Sequence, residues 1–161
     1  MTGRKCVLKP MIINTLKDLY DRDLKKLRTE IESYRDESAM WTVSGEITNS
    51  AGNLCQHLVG NLKSFIGANL GDSGYVRQRD LEFSNKNTPR AELLKMIDET
   101  ADVVAATLDK LTPEQLEQVY PMVVFADRTE PMTTGWFLVH LATHLNYHLG
   151  QINYHRRLFD K

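Results

Sequence analysis

Four of the five histidines of this chain fall in one stretch, Trp136 to Arg157, which reads WFLVHLATHLNYHLGQINYHRR. His140, His144 and His148 repeat every fourth residue, and on a helix such residues stack on one face. At ~100° per residue, His140, His144, His148, Gln151 and His155 share a sector of roughly 80°. The spacing therefore predicts an amphipathic helix with imidazoles on its inward face. Burying an imidazole without a partner costs on the order of 1–3 kcal/mol. A divalent metal shared between several rings removes that cost. The fifth histidine, His57, lies on the apolar stripe of another segment and can supply a ligand from across the core. A site of His57, His144 and His148 has three neutral nitrogen donors and keeps positions open for water or substrate. Such a donor set suits Zn²⁺, Ni²⁺, Fe²⁺ or Cu²⁺.

Zinc metalloproteases grip their metal with the same His-x-x-x-His spacing, but they place a glutamate next to the first histidine as general base. Leu145 stands there in this chain, so the protease reading fails at the base. His140 reads either as a ligand or as a residue just outside the ligand set. Gln151 and Asn61 each lie about one turn from a proposed ligand, and a ligating histidine donates its other N–H to such an acceptor. His155, near the chain end, is expected to pack or lie at the surface, and Tyr147 and Tyr154 to pack. Cys55 reads as a small buried hydrophobe. The plain alternative is that all the histidines are hydrogen-bonded core residues without a metal.

The chain has 161 residues, a length that fits one domain over residues 1–161 with a sizeable core. Hydrophobic residues make up 42% and charged residues 25%, as in ordinary globular proteins. A net charge of -1 and the lack of a basic block argue against nucleic acid as a partner. No apolar run long enough for a membrane span occurs. The N-terminus, MTGRKCVLKP, lacks the apolar core of a signal peptide. Two cysteines, Cys6 and Cys55, suit a reducing compartment, and a cytoplasmic location is expected.

The elements that must position the histidines follow from periodicity. After a polar lead-in ending at Pro10, apolar residues Ile12, Leu16, Leu19, Tyr20, Leu24, Leu27, Ile31 and Tyr34 predict a first helix from Met11 to about Tyr34. Residues 35–48 predict a loop anchored by Met40 and Trp41. Asn49 or Ser50 then caps a second helix running to about Leu70 and carrying His57 and Asn61. Residues 71–87 read as a long polar connection. Thr88-Pro89 opens a third helix, with Leu93, Ile97, Ala101, Val104 and Leu108 on its stripe. Thr112-Pro113-Glu114-Gln115 resembles a capping box for one short extra helix. Residues 119–125 are expected to be an extended crossing segment, because Pro121 disfavours a sheet. The histidine helix follows Thr133-Thr134 and ends near Phe159. The pattern predicts an all-α, four-helix bundle with two long connections and its site in the core.

The stretch HLATHLNYHLGQI resembles the closing motif of the DinB-like superfamily, a helix with His-x-x-x-His followed by Gly-Gln. NSAGNLCQHLVGNLKS is similar to that superfamily's second helix, and HLVGN with RDLEF resembles an uncharacterised bacterial subgroup. The resemblance covers Met11 to Phe159. It implies an up-down-down-up four-helix bundle, a divalent metal on His57, His144 and His148, and a homodimer. It also implies a metal-dependent transferase or hydrolase that activates water or a low-molecular-weight thiol towards a small-molecule substrate. The alternative is a non-catalytic metal-binding structural or stress-response module. The sequence shows no obvious general base, although Asp80 and Glu82 lie in a connection that could bring them near.

Overall fold

In a computed structural model the chain is all-helical; the description covers Lys5 to Lys161, with side chains from Met11 onward. Its elements are α1 (Lys5–Glu32), a 3₁₀ turn (Glu37–Trp41), α2 (Ala51–Leu62), a π-helical turn (Lys63–Ala68), α3 (Asn69–Gly71), α4 (Arg79–Ser84), α5 (Arg90–Lys110), α6 (Pro113–Glu117) and α7 (Thr134–Phe159). Among the described residues no strand forms, and only the isolated bridges Ser44–Ile47 and Val119–Thr133 occur. None of these helices is long and apolar enough to cross a membrane. The Cys6 thiol lies outside the described residues.

Most local signals act where the sequence places them, but Thr88 does not cap α5, which starts at Arg90 with Pro89 at its N-cap. The Ser50 side chain caps α2 at the Asn53 N–H, and Thr112 with Gln115 forms the reciprocal capping box of α6. Thr133 caps α7 at the Trp136 N–H. Two other expectations need correction. Helix α1 begins at Lys5, ahead of Pro10, rather than after it. The 71–87 connection is not wholly irregular, because Arg79–Ser84 coils into α4. The second predicted helix does reach Gly71, but through the π-helical turn rather than as one uniform α-helix.

Contacts fix the helix directions. Tyr20 donates to the Leu138 carbonyl at 2.7 Å, and Arg156 pairs with Glu30 at 2.8 Å, so α1 and α7 run parallel. Lys17 meets Asp109 and Arg28 meets Asp98, so α5 runs against α1. Lys63 pairs with Glu99, and Gly67 and Gly71 lie against Val103 and Thr107, which sets α5 parallel to the α2–α3 run. One buried cluster joins them, with Leu27 and Ile31 of α1, Leu58 and Leu62 of α2, Leu93 and Ile97 of α5, and Leu138 and Leu145 of α7. Every residue of α2 is buried. Trp41 is the anchor its position suggests, since its ring covers Gly52 so closely that a Cβ there would meet it at 2.6 Å.

At the far end of α7, His155 is buried and packs rather than facing solvent. Its Nε2–H donates to the Thr42 carbonyl at 2.9 Å, which leaves Nδ1 as a lone pair accepting the Tyr34 hydroxyl at 2.8 Å. Tyr34→Phe removes that donor and strands a buried acceptor. A loss of about 1–3 kcal/mol is expected, read as a lower denaturation midpoint. An unchanged midpoint contradicts the assignment. Burial holds the His155 pKa below its ordinary 6.5, against a smaller opposing effect of the Thr42 bond. As pH falls, the unfolded chain therefore takes up this proton before the folded one does. The contribution of His155 is complete above pH ~6.5 and is lost progressively below it. Chemical denaturation at pH 7.5 and 5.5 should show the lower stability at 5.5, and a flat or rising profile contradicts the sign.

Candidate metal centre

Helix α7 buries Phe137, Leu138, Leu141, Ala142, Leu145, Leu149, Ile152 and His155. His140, His144 and His148 are each one residue before a core position, about 100° round the helix. They are half-buried. The imidazoles thus line the seam between core and solvent rather than the inward face itself. Across that seam stands α2. Leu54 lines a cavity with Gln151 and His155, His57 faces His144 and His148, and Phe65 meets Phe137 with ring centroids 5.3 Å apart. The two helices are antiparallel, and His57 is the α2 residue level with the His-x-x-x-His pair.

Three imidazole nitrogens meet there. The His144 Nε2 is 3.1 Å from that of His148 and 3.4 Å from that of His57, and one nitrogen of each ring lies within 4.8 Å of the others. Ligand nitrogens ~2.0–2.1 Å from a tetrahedral cation stand about 3.3 Å apart, which the 3.1 and 3.4 Å separations match.

The complete burial of α2 explains how His57 is aimed. A polar residue on a buried helix needs partners, and the segment 82–88 supplies most of them. Asn53 Nδ2 donates to the carbonyls of Glu82 and Asn85 at 3.0 and 2.8 Å, and Gln56 Nε2 reaches the Asn85 carbonyl at 3.3 Å. These bonds clamp α4 onto α2 and bring the Glu82 Oε2 to 2.9 Å from the His57 Nδ1. Gly60, one turn after His57, makes the room. A Cβ there would run into the Glu82 carboxylate.

Glu82 is only 6% exposed and is held by Arg77, whose Nε donates to Oε1 at 2.6 Å and whose Nη2 donates to Oε2 at 2.8 Å. Burial alone raises its pKa, but the Arg77 and His57 bonds outweigh burial and hold it below the usual carboxylate range. The ionised carboxylate only accepts, so the His57 Nδ1 carries a proton, and Nε2 is the nitrogen left to face the other rings. Both Glu82 oxygens are engaged, so Glu82 orients His57 and is not free to act as a general base. Asp80 is exposed.

Gln151 plays the matching part on α7. Its Oε1 accepts from the His148 Nδ1 at 2.6 Å, which turns the His148 Nε2 lone pair toward the same point. Burial pushes His144 down to about 4, with smaller contributions from His148, His57, His140 and Arg77. Burial also lowers His148, against the Gln151 bond. Both rings are neutral at pH 7, the form a metal ligand requires.

His140 does not join the convergent nitrogens. Its ring centroid is 6.4 Å from that of His144. It stacks on Trp136 and Phe137 at 5.5 and 5.9 Å, with the edge of Phe125 at 5.1 Å. On the other side of the triad, Phe83 lies 5.0 Å from His57 and Tyr147 lies 5.2 Å from His148. Cys55 is fully buried, and burial pushes its thiol up to about 12, so it is no nucleophile. Glu82, Arg77 and Gly60 are the parts of this arrangement that periodicity does not find. Their one sequence signal is a glycine three residues after a core histidine, which marks a close approach.

The sequence profile of the family described as "Protein of unknown function (DUF1572)" matches residues 10–161, so the chain belongs to that family. A search of curated proteins finds no match.

Gly60→Ala displaces Glu82 and frees the His57 ring to turn. Loss of such an outer partner weakens metal binding by about 10–100-fold. Competition of the purified variant with a chromophoric zinc chelator measures this, and an affinity equal to that of the wild type contradicts the role given to Glu82.

Proposed function

We propose that His57, His144 and His148 hold one divalent cation, Zn²⁺, Ni²⁺ or Fe²⁺, and that the site belongs to a metal-dependent transferase or hydrolase of the DinB-like type. The proposed fold is a single four-helix-bundle domain over residues 1–161 made by α1, α2, α5 and α7. The helix directions support it, since α1 and α7 run one way and α2 and α5 the other.

The observation that carries the reading is the pair of contacts at Nδ1, 2.9 Å from His57 to Glu82 and 2.6 Å from His148 to Gln151. Glu82 and Gln151 take the Nδ1 protons of His57 and His148, so two lone pairs face His144. Without a cation, His144 faces a dilemma. Protonated on Nε2, it shares one hydrogen between two acceptors and leaves a buried Nδ1 acceptor without a donor. Protonated on Nδ1, it brings three lone pairs together. A cation turns the second arrangement into three ligand bonds.

A bound divalent cation supplies Lewis acidity, lowering the pKa of a coordinated water or low-molecular-weight thiol so that a nucleophile exists near neutral pH. The protein's part is to hold three rings, to fix two of them through Glu82 and Gln151, and to flank the site with the rings of Phe83 and Tyr147.

A catalytic site rather than a structural staple is favoured by the apolar core packed beside the triad. Leu24, Leu27, Ile31, Leu58, Leu62, Leu93, Ile97, Leu138 and Ile152 are each at most 2% exposed. At ~1.5–3 kcal/mol each, before chain entropy is subtracted, their gain is at least comparable to the ~10–16 kcal/mol of a structural zinc site. Tag-free protein is expected to carry about one metal per chain by elemental analysis. Chelation at pH 7.5 should remove it with a fall of only a few degrees in Tm. Unfolding at room temperature on chelation assigns the metal to a staple, and protein that neither carries nor takes up metal removes the proposal.

A further inference from the structure

We propose that Asn61 is the positioning residue for the third ligand, accepting the Nδ1–H of His144 through its Oδ1 when the metal is bound. This inference rests on the metal reading above and completes it.

Two of the three rings have an acceptor at Nδ1, Glu82 for His57 and Gln151 for His148. The third does not. The His144 Nδ1 is buried and has no partner among the described residues. A ring that binds metal through Nε2 carries its proton on Nδ1, so this nitrogen is a donor in need of an acceptor. One buried acceptor lacks a donor in the same region. The Asn61 Oδ1 is buried and unpartnered, on a residue only 7% exposed.

The helix register puts the two on facing turns. The run from α2 into the π-helical turn lies antiparallel to α7 and brings His57 level with His144 and His148, and Phe65 level with Phe137. Asn61 lies midway between His57 and Phe65, so it stands opposite the turn between His144 and Phe137. The other polar residues of α2 spend their side chains on the 82–88 segment, with Asn53 and Gln56 bonded there. Asn61 alone among them keeps an unused acceptor. A hydrogen bond between the two would satisfy both orphans at once. An unsatisfied polar group on a fully buried helix is costly, and this pairing gives it a use.

The test compares wild type with Asn61→Leu and Asn61→Asp, using Zn²⁺ and Co²⁺ themselves as probes. Asn61→Leu should bind Zn²⁺ at least 10-fold more weakly and change the visible Co²⁺ spectrum. Its metal-free Tm should be equal to or above that of the wild type, because the substitution removes an acceptor that has no donor in that state. Asn61→Asp, which keeps the acceptor, should recover the affinity. A residue that merely packs would lower the metal-free Tm and leave affinity unchanged, and that result overturns the proposal. If Asn61→Leu fails to fold, Asn61→Ala takes its place: zinc binding at wild-type strength by that variant overturns the proposal, and binding at least 10-fold weaker, recovered in Asn61→Asp, upholds it. A wild-type protein that binds no metal instead overturns the metal reading itself, which separates the two failures.

Discussion

An imidazole with one nitrogen tied to an ionised carboxylate has a single lone pair left to offer, and its direction is fixed. The 2.9 Å contact between the His57 Nδ1 and Glu82 is that constraint here. Much of the surrounding structure exists to keep it. Arg77 neutralises the carboxylate and grips both oxygens, and Gly60 leaves the space it occupies. Asn53 and Gln56 bind the backbone of the segment that carries it. Remove any of these and His57 becomes an ordinary buried histidine.

The second constraint is the complete burial of α2. A helix with no exposed face cannot solvate Asn53, Gln56, His57 and Asn61, so each must find a protein partner or a ligand. The connection after α3 meets most of that demand, which gives it a structural reason to coil into α4. The histidines of α7 sit beside the core stripe rather than within it. That position leaves His144 and His148 dry enough to be neutral and close enough to solvent to be reached.

Much of this was legible in the sequence. The three-and-four spacing of Leu16, Tyr20, Leu24, Leu27 and Ile31 marks α1, the Asn49-Ser50 pair and the Thr112 capping box mark the starts of α2 and α6, and Thr133-Thr134 marks the entry to α7. The convergence of His57 with His144 and His148 followed from helical spacing together with a family resemblance. The partners of the ligands were less visible. Gln151 was foreseen because it lies on the same helix as His148, one turn away. Glu82 stands out in the sequence only as a possible base, and its place as the His57 partner does not, since its approach depends on Asn53 and Gln56 binding carbonyls more than 25 residues on, a tertiary effect with no local period. The start of α1 was misplaced because Pro10 was read as a boundary. The placing of the histidines at the seam rather than inward was missed because Leu141, Leu145 and Leu149 compete for the same turn of helix and bury more apolar surface.

The central claim is that Glu82 and Gln151 fix tautomers so that imidazole lone pairs converge on a cation. Long-range proton–nitrogen NMR of uniformly ¹⁵N-labelled, tag-free protein reads each ring directly. The account predicts that metal-free His57 and His148 are Nδ1–H tautomers at pH 7.5, and that zinc shifts the Nε2 resonances of His57, His144 and His148 together. An Nε2–H tautomer at His57, or zinc that leaves the three Nε2 signals unmoved, would contradict it.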